Sequence, residues 1–347
     1  MVVKSNKVKE LFTAKRIAIP LIIGLAVAFY FLWSDTDWVE FNKIHWGGRF
    51  LVWMLVALLM MVLRDVAYMY RIRMLTDKKI GWRNSFDVIM LWEFSSAVTP
   101  GVVGGAGVAV YILNKEGLSV GKSTAMVMTT ALLDELFYVF TVPVVILFIG
   151  THYLFPIELQ KEIFGIVLNV KGIFIVGYCF TLFLSLIIIY GIFINPNGFK
   201  NLLVKLFKWK LFRKWEHKVV KIGDDIITTS TELRNKSFSF WAKAFLATLF
   251  AWTARFWVVN FIILAFIPVN EHLLIYGRQL VMWIIMFISP TPGGTGIAEF
   301  AFKGFLAEFT PIGLAGLLAV LWRFLSYYPY LFIGAIVIPK WLKRVYS

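Results

Sequence analysis

The stretch "SPTPGGTGIAEF", residues 289–300, interrupts an apolar run with two prolines and three glycines. Both residue types end helices. Inside a bilayer, the backbone groups freed at such a break must find partners in protein or trapped water. The stretch therefore predicts two short helices that meet inside the protein instead of one continuous membrane span.

The composition is that of a membrane protein. Of the 347 residues, 60% are hydrophobic and 17% aromatic, and the mean hydropathy is +0.77, well above a soluble domain. These values predict an all-α polytopic membrane protein with a single transmembrane domain over residues 1–347. The net charge of +15 lies mainly between apolar runs, where anionic lipid headgroups explain it better than nucleic acid does. We expect no nucleic-acid partner.

Six apolar runs reach the length of about 20 residues that a spanning helix needs. They are 17–33, 49–70, 123–150, 172–194, 238–267 and 312–339. Two further stretches, 84–113 and 272–306, are each cut near the middle by a Gly/Pro loop. We interpret these two as re-entrant hairpins, which enter and leave the membrane on the same side.

The distribution of Lys and Arg predicts the orientation, because basic loops stay in the cytoplasm. An N-terminus in the cytoplasm places 25 of the 35 basic residues inside, in segments 1–16, 71–83, 114–122, 195–236 and 340–347. The loops outside hold Lys43, Arg49 and Lys161. The pattern predicts both termini in the cytoplasm and makes the two hairpins enter from opposite sides, and we expect the membrane to be a bacterial cytoplasmic membrane.

The broken stretches also resemble one another. "TPGVVGGAGVAV" begins at Thr99 and "TPGGTGIAEF" at Thr291, and Arg64 and Arg255 precede the two Thr-Pro-Gly prolines by 36 and 37 positions. Each half therefore has the order span, hairpin, span. We predict an inverted repeat, with repeat one at about 49–150 and repeat two at about 238–339, an architecture in which broken helices mark the substrate site.

The glycine-rich breaks are the first candidate for that site. A half-helix that begins inside the membrane directs free N–H groups and a positive dipole end into the protein, and glycine lets an anion approach these amides. The candidate residues are Gly104, Gly105, Gly107, Pro292, Gly293, Gly294 and Gly296. The alternative is that these glycines only turn the chain and let helices pack closely.

Charged residues inside the apolar runs are the second candidate, because each costs about 3 kcal/mol near the bilayer centre. Arg64, Arg255 and Arg323 are the predicted ligands for a lipid phosphate, since guanidinium can donate two hydrogen bonds at once. Asp134 and Glu135 are candidates for proton coupling. The competing interpretation is salt bridges that fix helix packing and contact no substrate.

Glu299 falls in the first turn after the second break, where the helix dipole favours a carboxylate. A structural role in the loop and a proton-carrying role are both open. Enzyme signatures are missing: the four histidines lack metal-ligand spacing and there is no Walker motif. We expect neither a cofactor nor a bound metal, and no catalytic residue.

The linker at about 195–236 mixes Lys and Arg with Leu, Phe and Trp. This composition suits a helix on the anionic inner leaflet, or equally a solvated connecting helix.

The order of spans and hairpins resembles the lysylphosphatidylglycerol synthase transmembrane-like, or flippase-like, integral membrane proteins, over roughly residues 15–340. Their second motif is Pro-Gly-Gly-x-Gly-x-x-Glu, which Pro292, Gly293, Gly294, Gly296 and Glu299 match in full. The resemblance implies movement of a lipid between leaflets. In the best-known relatives this module is joined to a cytosolic aminoacyl-transfer domain, and no such domain is expected here.

The first motif departs from that family, in which it usually carries Gly-Glu followed by a basic residue. This chain has "GGAGVAVYIL" from Gly104 and no acid. The second hairpin is therefore the stronger functional candidate.

The leading hypothesis is a transporter that moves an anionic lipid, either a phospholipid or a polyprenyl-phosphate-linked lipid, between leaflets. One alternative is a membrane-embedded transferase acting on a lipid phosphate with Asp134, Glu135 or Glu299 as base. Another alternative is a transporter of a soluble organic anion.

Overall fold

The computed structural model describes residues 14–99, 101–156, 160–163, 166–208, 216–286, 291 and 293–346. Two residues of the predicted breaks, Pro100 and Pro292, lie outside the described residues. The described chain is predominantly helical, which confirms the all-α prediction.

The helices and strands follow one another in a simple order. They are α1 (Ala14–Ser34), α2 (Trp38–Asn42), α3 (Gly48–Leu75), α4 (Trp82–Val98), α5 (Gly101–Lys115), α6 (Val120–Ile149), α7 (Thr151–Leu154), β1 (Gln160–Ile163), β2 (Ile166–Asn169), α8 (Val170–Ile189), α9 (Pro196–Phe207), α10 (Glu216–Arg234), α11 (Phe238–Phe266), α12 (His272–Met286), α13 (Ile297–Leu306), α14 (Ala315–Ser326) and α15 (Tyr328–Tyr346). A π-helical turn, Tyr190–Ile194, extends α8, and a 3₁₀ turn, Ala307–Phe309, follows α13. The strands pair antiparallel as a small hairpin.

Five segments of the described chain are long and apolar enough to cross a membrane: Gly48–Leu75, Val120–Ile149, Val170–Ile194, Phe238–Phe266 and Ala315–Tyr346. They coincide with five of the six predicted spans, and the first predicted span, 17–33, lies within the 21-residue helix α1. Only 22% to 56% of the most apolar window of each segment is buried, so much apolar surface is available to lipid.

Polar side chains cap three of the long helices at their N-termini. Ser119 accepts a hydrogen bond from the Lys122 amide before α6, and Ser237 accepts one from Phe240 before α11. Asn169 does the same for α8 through the Gly172 amide. Each cap satisfies an amide that has no partner in the helix, which is why these helices begin where they do.

Each predicted hairpin is a pair of helices that contain 10 to 17 residues. All four are shorter than a full span of about 20 residues. α4 packs along α5, and α12 packs along α13. Arg278 of α12 connects α12 to α13 and to the turn that follows it. It donates to the Phe305 carbonyl at 3.0 Å and forms an ion pair with Glu308 at 2.8 Å.

The last predicted span, 312–339, is not one straight helix. α14 ends at Ser326, Tyr327 leaves the helical conformation with φ −132° and ψ −57°, and α15 begins at Tyr328. Pro329 explains the break, because proline has no N–H to bond to the carbonyl of the preceding turn and its ring clashes with that carbonyl. The break brings Tyr327 to the centre of the molecule.

The first helices of the two predicted repeats, α3 and α11, pack against each other along much of their length. Their contact faces include buried small residues such as Ala57, Ala251 and Ala254. Small side chains let membrane helices approach closely. Each helix of this pair also packs against the first helix of a predicted hairpin, α3 against α4 and α11 against α12.

The predicted linker forms α9 and α10, which pack against each other, and α10 also packs on α6. Lys200 of α9 forms an ion pair with Asp224 of α10 at 2.5 Å. Residues 209–215 between them lie outside the described residues. Docking of this basic linker on the inner leaflet remains a prediction.

Gly334 of α15 is a position where the fold leaves no room for a side chain. A Cβ there would lie 2.5 Å from Phe94 of α4. We predict that Gly334→Ala lowers the stability of the protein by about 1–3 kcal/mol, because overpacking pushes α4 and α15 apart. Thermal unfolding in mild detergent measures the change.

The matched control is Gly107→Ala in α5, where an added Cβ meets nothing within 4 Å. This substitution should stabilise the protein by about 0.5–1 kcal/mol, since alanine favours the helix over glycine. Equal melting temperatures for the two variants would contradict the packing of α4 against α15.

Candidate functional site

A cavity of about 360 Å³ lies at the centre of the bundle, lined by residues of both predicted repeats. Its charged lining residues among those described are Arg64, Arg71, Glu93, Asp134, Glu135, Arg255 and Arg323. The loop glycines Gly293 and Gly294 also reach it. All three predicted arginines and both predicted acids therefore meet at one place, although they are far apart in the sequence.

Arg64 of α3 is fully buried and well compensated. Its guanidinium donates to Asp65 at 2.8 Å and to the Tyr330 hydroxyl at 2.7 Å, and it forms an ion pair with Glu93. The Tyr330 hydroxyl also donates to the Asp65 carboxylate at 2.9 Å. Glu93 belongs to α4 and Tyr330 to α15, so Arg64 joins three helices.

The position of Arg71 differs from the one predicted from the charge pattern. The sequence placed it at the start of a cytoplasmic loop, 71–83, but α3 continues to Leu75 and Arg71 is buried. It donates to both carboxylate oxygens of Asp134, at 2.6 and 3.2 Å, and to Thr248 at 2.8 Å. Arg71 follows Arg64 by two helical turns and so shares its helix face, a signal that could have identified it.

Asp134 and Glu135 are adjacent in α6 but differ in their partners. Asp134 accepts hydrogen bonds from Arg71 and from the Trp252 indole N–H, the latter at 3.0 Å. Glu135 accepts a hydrogen bond from the Ser185 hydroxyl at 3.0 Å. Within the described ranges, Glu135 forms no ion pair, so its negative charge faces the cavity without a cation.

Arg255 of α11 is a cation that lines the cavity without a carboxylate partner among the described residues. Its guanidinium lies over the Trp283 ring at 4.3 Å and over the Trp252 ring at 5.4 Å. Its Nε is buried and has no hydrogen-bond partner in the described part of the chain, where Arg255 also forms no ion pair. Stacking on indole faces stabilises the cation and leaves the N–H groups at its edge available.

The second break needs its glycines for backbone conformation and for space. Gly293, Gly294 and Gly296 have φ values of 57°, 69° and 84°, which favour glycine over all other residues. A Cβ on Gly293 would lie 2.2 Å from the Tyr327 ring. The loop therefore packs directly on the break between α14 and α15.

Glu299 and Arg323 hold this loop in place. Glu299 is buried, accepts the Gly296 amide at 2.7 Å and lies 3.1 Å from Arg323. Arg323 donates to the Gly293 carbonyl at 2.9 Å and lies over the Tyr327 ring at 3.8 Å. These contacts give Glu299 the structural role considered above. The Glu299 carboxylate also compensates the positive dipole end of α13 from within the protein.

The glycines of the first break are placed differently. Gly104, Gly105 and Gly107 lie within helix α5, which begins at Gly101. Amides in the second turn of a helix bond to the turn before them, so Gly105 and Gly107 do not present free N–H groups. A Cβ on Gly105 would meet Ser96 of α4 at 2.3 Å, and Gly107 faces open space. The expected anion contact thus has no geometric support here, whereas close packing of α4 on α5 does.

The aromatic wall of the cavity was not predicted from the sequence. It comprises Tyr68, Trp92, Tyr138, Trp252, Trp283, Tyr327 and Tyr330. In a chain with 17% aromatic residues, no single tryptophan or tyrosine stands out. The Tyr327 hydroxyl donates to the Ala97 carbonyl at 3.1 Å, so this wall also connects α4 to the α14–α15 break.

Comparison with known proteins agrees with the architecture. Residues 17–334 match the model of the family described as the lysylphosphatidylglycerol synthase TM region. A UPF0104 membrane protein of Archaeoglobus fulgidus is 28% identical over 325 residues, which cover 90% of this chain and 92% of that relative. The match extends across both hairpins and the cavity.

Removal of the Glu299 charge tests the role of this residue in the loop. We predict that Glu299→Gln lowers stability by about 3–5 kcal/mol, because it leaves the buried Arg323 without its counter-charge. The measurement is unfolding of the purified protein in mild detergent.

Glu40→Gln is the control, since Glu40 pairs with Lys43 at 2.6 Å on the exposed surface. An exposed pair contributes about 1 kcal/mol or less. If both substitutions lower stability equally, the Glu299–Arg323 pair does not hold the loop.

Proposed function

The chain belongs to the family described as the lysylphosphatidylglycerol synthase TM region, and we propose that it moves an anionic lipid, a phospholipid or a polyprenyl-phosphate-linked lipid, between membrane leaflets. The observation that carries the proposal is the charge of Arg255 in the cavity. It is the one cavity arginine, among the described residues, whose charge has no carboxylate partner.

An unpaired cation in a membrane interior is costly and is typical of ligand sites. Arg255 is stacked on Trp283 and Trp252, which fixes the plane of its guanidinium. A planar guanidinium donates to two oxygens of one phosphate at once. A lipid phosphate at this position would supply the missing counter-charge and the missing hydrogen-bond acceptors.

The size of the cavity supports a headgroup site. Its volume of about 360 Å³ falls at the lower end of the range for small-molecule sites, about 300–1,000 Å³. A phosphate with a small substituent fits such a space, whereas two acyl chains do not. In the proposed mechanism, the headgroup enters the cavity and the hydrocarbon chains remain in the bilayer.

The other arginines support a framework role around this site. Arg64 and Arg71 are paired with acids on neighbouring helices, and Arg323 is paired with Glu299. Rocking of the two predicted repeats about the α3–α11 pair would open the cavity to one face and then to the other. Asp134 and Glu135 remain candidates for coupling this movement to protons.

Replacement of Arg255 tests the proposal. In liposomes containing the purified protein, we predict that Arg255→Gln slows leaflet exchange of an acyl-chain-labelled phospholipid by about tenfold or more, because the charged hydrogen bonds to phosphate are lost. Arg255→Lys keeps the positive charge but cannot bind the phosphate in a bidentate manner, so its rate of lipid exchange should be intermediate. Dithionite quenching of the outer-leaflet label measures the exchange.

Arg49→Gln is the matched control, since Arg49 is exposed and donates to the Leu264 carbonyl away from the cavity. It should exchange lipid at the wild-type rate. Unchanged exchange in folded Arg255→Gln protein would refute the site. A new covalent lipid product would favour a transferase instead, and uptake of a water-soluble anion without lipid exchange would favour the third hypothesis.

Both termini are proposed to lie in the cytoplasm. In a Cys179→Ser background, we predict that Asn42→Cys in intact cells reacts with a membrane-impermeant maleimide, because it follows the first span. Lys340→Cys, on the exposed side of α15, should react only after the membrane is permeabilised. The reverse pattern would invert the proposed topology.

A further inference from the structure

Glu135 of α6 is a cavity acid whose charge is not balanced by any cation in the described part of the chain. It accepts a hydrogen bond from the Ser185 hydroxyl of α8 at 3.0 Å. That hydroxyl is also 3.0 Å from the Thr181 carbonyl, so its single proton is shared between two acceptors. A carboxylate inside a membrane is costly without a counter-charge. Glu135 therefore needs either a cation or a proton.

Asp134, the residue before Glu135, has no such need. Arg71 donates to both of its carboxylate oxygens, at 2.6 and 3.2 Å, and the Trp252 indole N–H donates at 3.0 Å. The Arg71 cation balances the charge of Asp134 whether or not a ligand is bound. The two adjacent acids are therefore not equivalent, and Glu135 is the one whose protonation can respond to a ligand.

Two of the helices that pack on α6 bring cations to the cavity. α3 brings Arg64 and Arg71, and α11 brings Arg255. Arg64 and Arg71 pair with acids, so among the described lining residues Arg255 alone presents an unbalanced positive charge. α5, α8 and α12 also pack on α6, and their described lining residues are uncharged.

Other titratable groups that pack on α6 lie near its two ends. Glu232 of α10 pairs with Lys122 at the N-terminal end, where Asp225 also packs. His152 belongs to α7, which follows the C-terminal end. Each end is about 20 Å from Glu135, at a rise of about 1.5 Å per residue. These groups are too distant to balance the charge of Glu135.

The unpaired charges of Arg255 and Glu135 have opposite signs and line the same cavity. In the empty cavity they balance each other without direct contact, because charges in a medium of low dielectric interact over longer distances than in water. A phosphate bound to Arg255 ends this balance, since it neutralises the cation. Glu135 then faces an added negative charge, which favours its protonated form.

We propose that Glu135 binds one proton each time an anionic lipid phosphate binds at Arg255, and that the protein carries both across the membrane together. This inference rests on the proposed function and names the ion that drives it. The proton comes from water on the side to which the cavity is open. It returns to water on the other side when the phosphate leaves and the Arg255 charge is exposed again. One phosphate monoanion and one proton carry no net charge.

Asp65 and Glu93 are the competing proton carriers, because Arg64 alone pairs with both of them. The Tyr330 hydroxyl also donates to Asp65 at 2.9 Å. None of these contacts involves Arg255, so a phosphate bound there leaves them in place. Linkage between lipid and proton is therefore assigned to Glu135.

The test measures how acyl-chain-labelled phosphatidylglycerol distributes between the leaflets of liposomes that contain the protein. A pH difference of about one unit is imposed, and K⁺ with valinomycin holds the membrane potential at zero. Coupling to one proton predicts about tenfold accumulation of the labelled lipid in the leaflet that faces the alkaline side, because one pH unit is a tenfold ratio of protons. Dithionite quenching measures the distribution, and protein-free liposomes give the background.

Glu135→Gln should exchange the lipid but reduce this accumulation to about one, because an amide binds no proton in this pH range. Glu40→Gln is the control, since it removes an exposed acid that pairs with Lys43 away from the cavity. It should retain the accumulation of about tenfold. The measurement on wild-type protein needs no variant to fold.

The outcomes separate this inference from the function on which it rests. An equal distribution in wild-type liposomes that exchange the lipid overturns proton coupling and leaves lipid movement intact. The same holds for an accumulation that Glu135→Gln retains, or for one that follows a Na⁺ difference at equal pH. Exchange of no lipid by the wild-type protein overturns both. An accumulation that Glu135→Gln abolishes and Glu40→Gln retains supports the proton site.

Discussion

The centre of this molecule is organised by the need to pair charges away from water. A buried charge without a partner is strongly destabilising, and removal of one member of a buried pair costs about 3–5 kcal/mol. Three arginines satisfy this requirement with acids on neighbouring elements: Arg64 with Glu93, Arg71 with Asp134, and Arg323 with Glu299. These pairs connect α3, α4, α6, α13 and α14, and they define the walls of the central cavity.

Two charged residues of the described cavity lining, Arg255 and Glu135, form no ion pair. Arg255 is stabilised by Trp252 and Trp283, whose ring faces lower the cost of the charge without neutralising it. The Ser185 hydroxyl donates a hydrogen bond to Glu135, which also leaves the charge of Glu135 without an ionic partner. The other charged residues of the described cavity lining form ion pairs, so a ligand would complete the electrostatics at these two positions, and the lipid proposal follows from Arg255.

The two hairpins share a sequence pattern but use it differently. In the second, the glycines adopt left-handed conformations, and the loop is closed by Glu299 on the Gly296 amide and by Arg323 on the Gly293 carbonyl. In the first, Gly105 lies within a helix and lets α5 approach Ser96. The sequence "GGAGVAVYIL" from Gly104 has no acid, which fits this difference, because its described glycines lie in a helix and not in a turn that a carboxylate would hold.

The sequence alone determined the membrane class and five of the long spans, and it singled out Arg64, Arg255, Asp134 and Glu135, which line the cavity, because hydropathy and charge within apolar runs are local properties. Only the tertiary structure decided which charges are paired. That decision depends on partners brought together from distant helices, such as Arg71 with Asp134 or Tyr330 with Arg64. It also placed Arg71 inside the protein and broke the last span at Tyr327, since burial and packing are set by neighbours that no local pattern specifies.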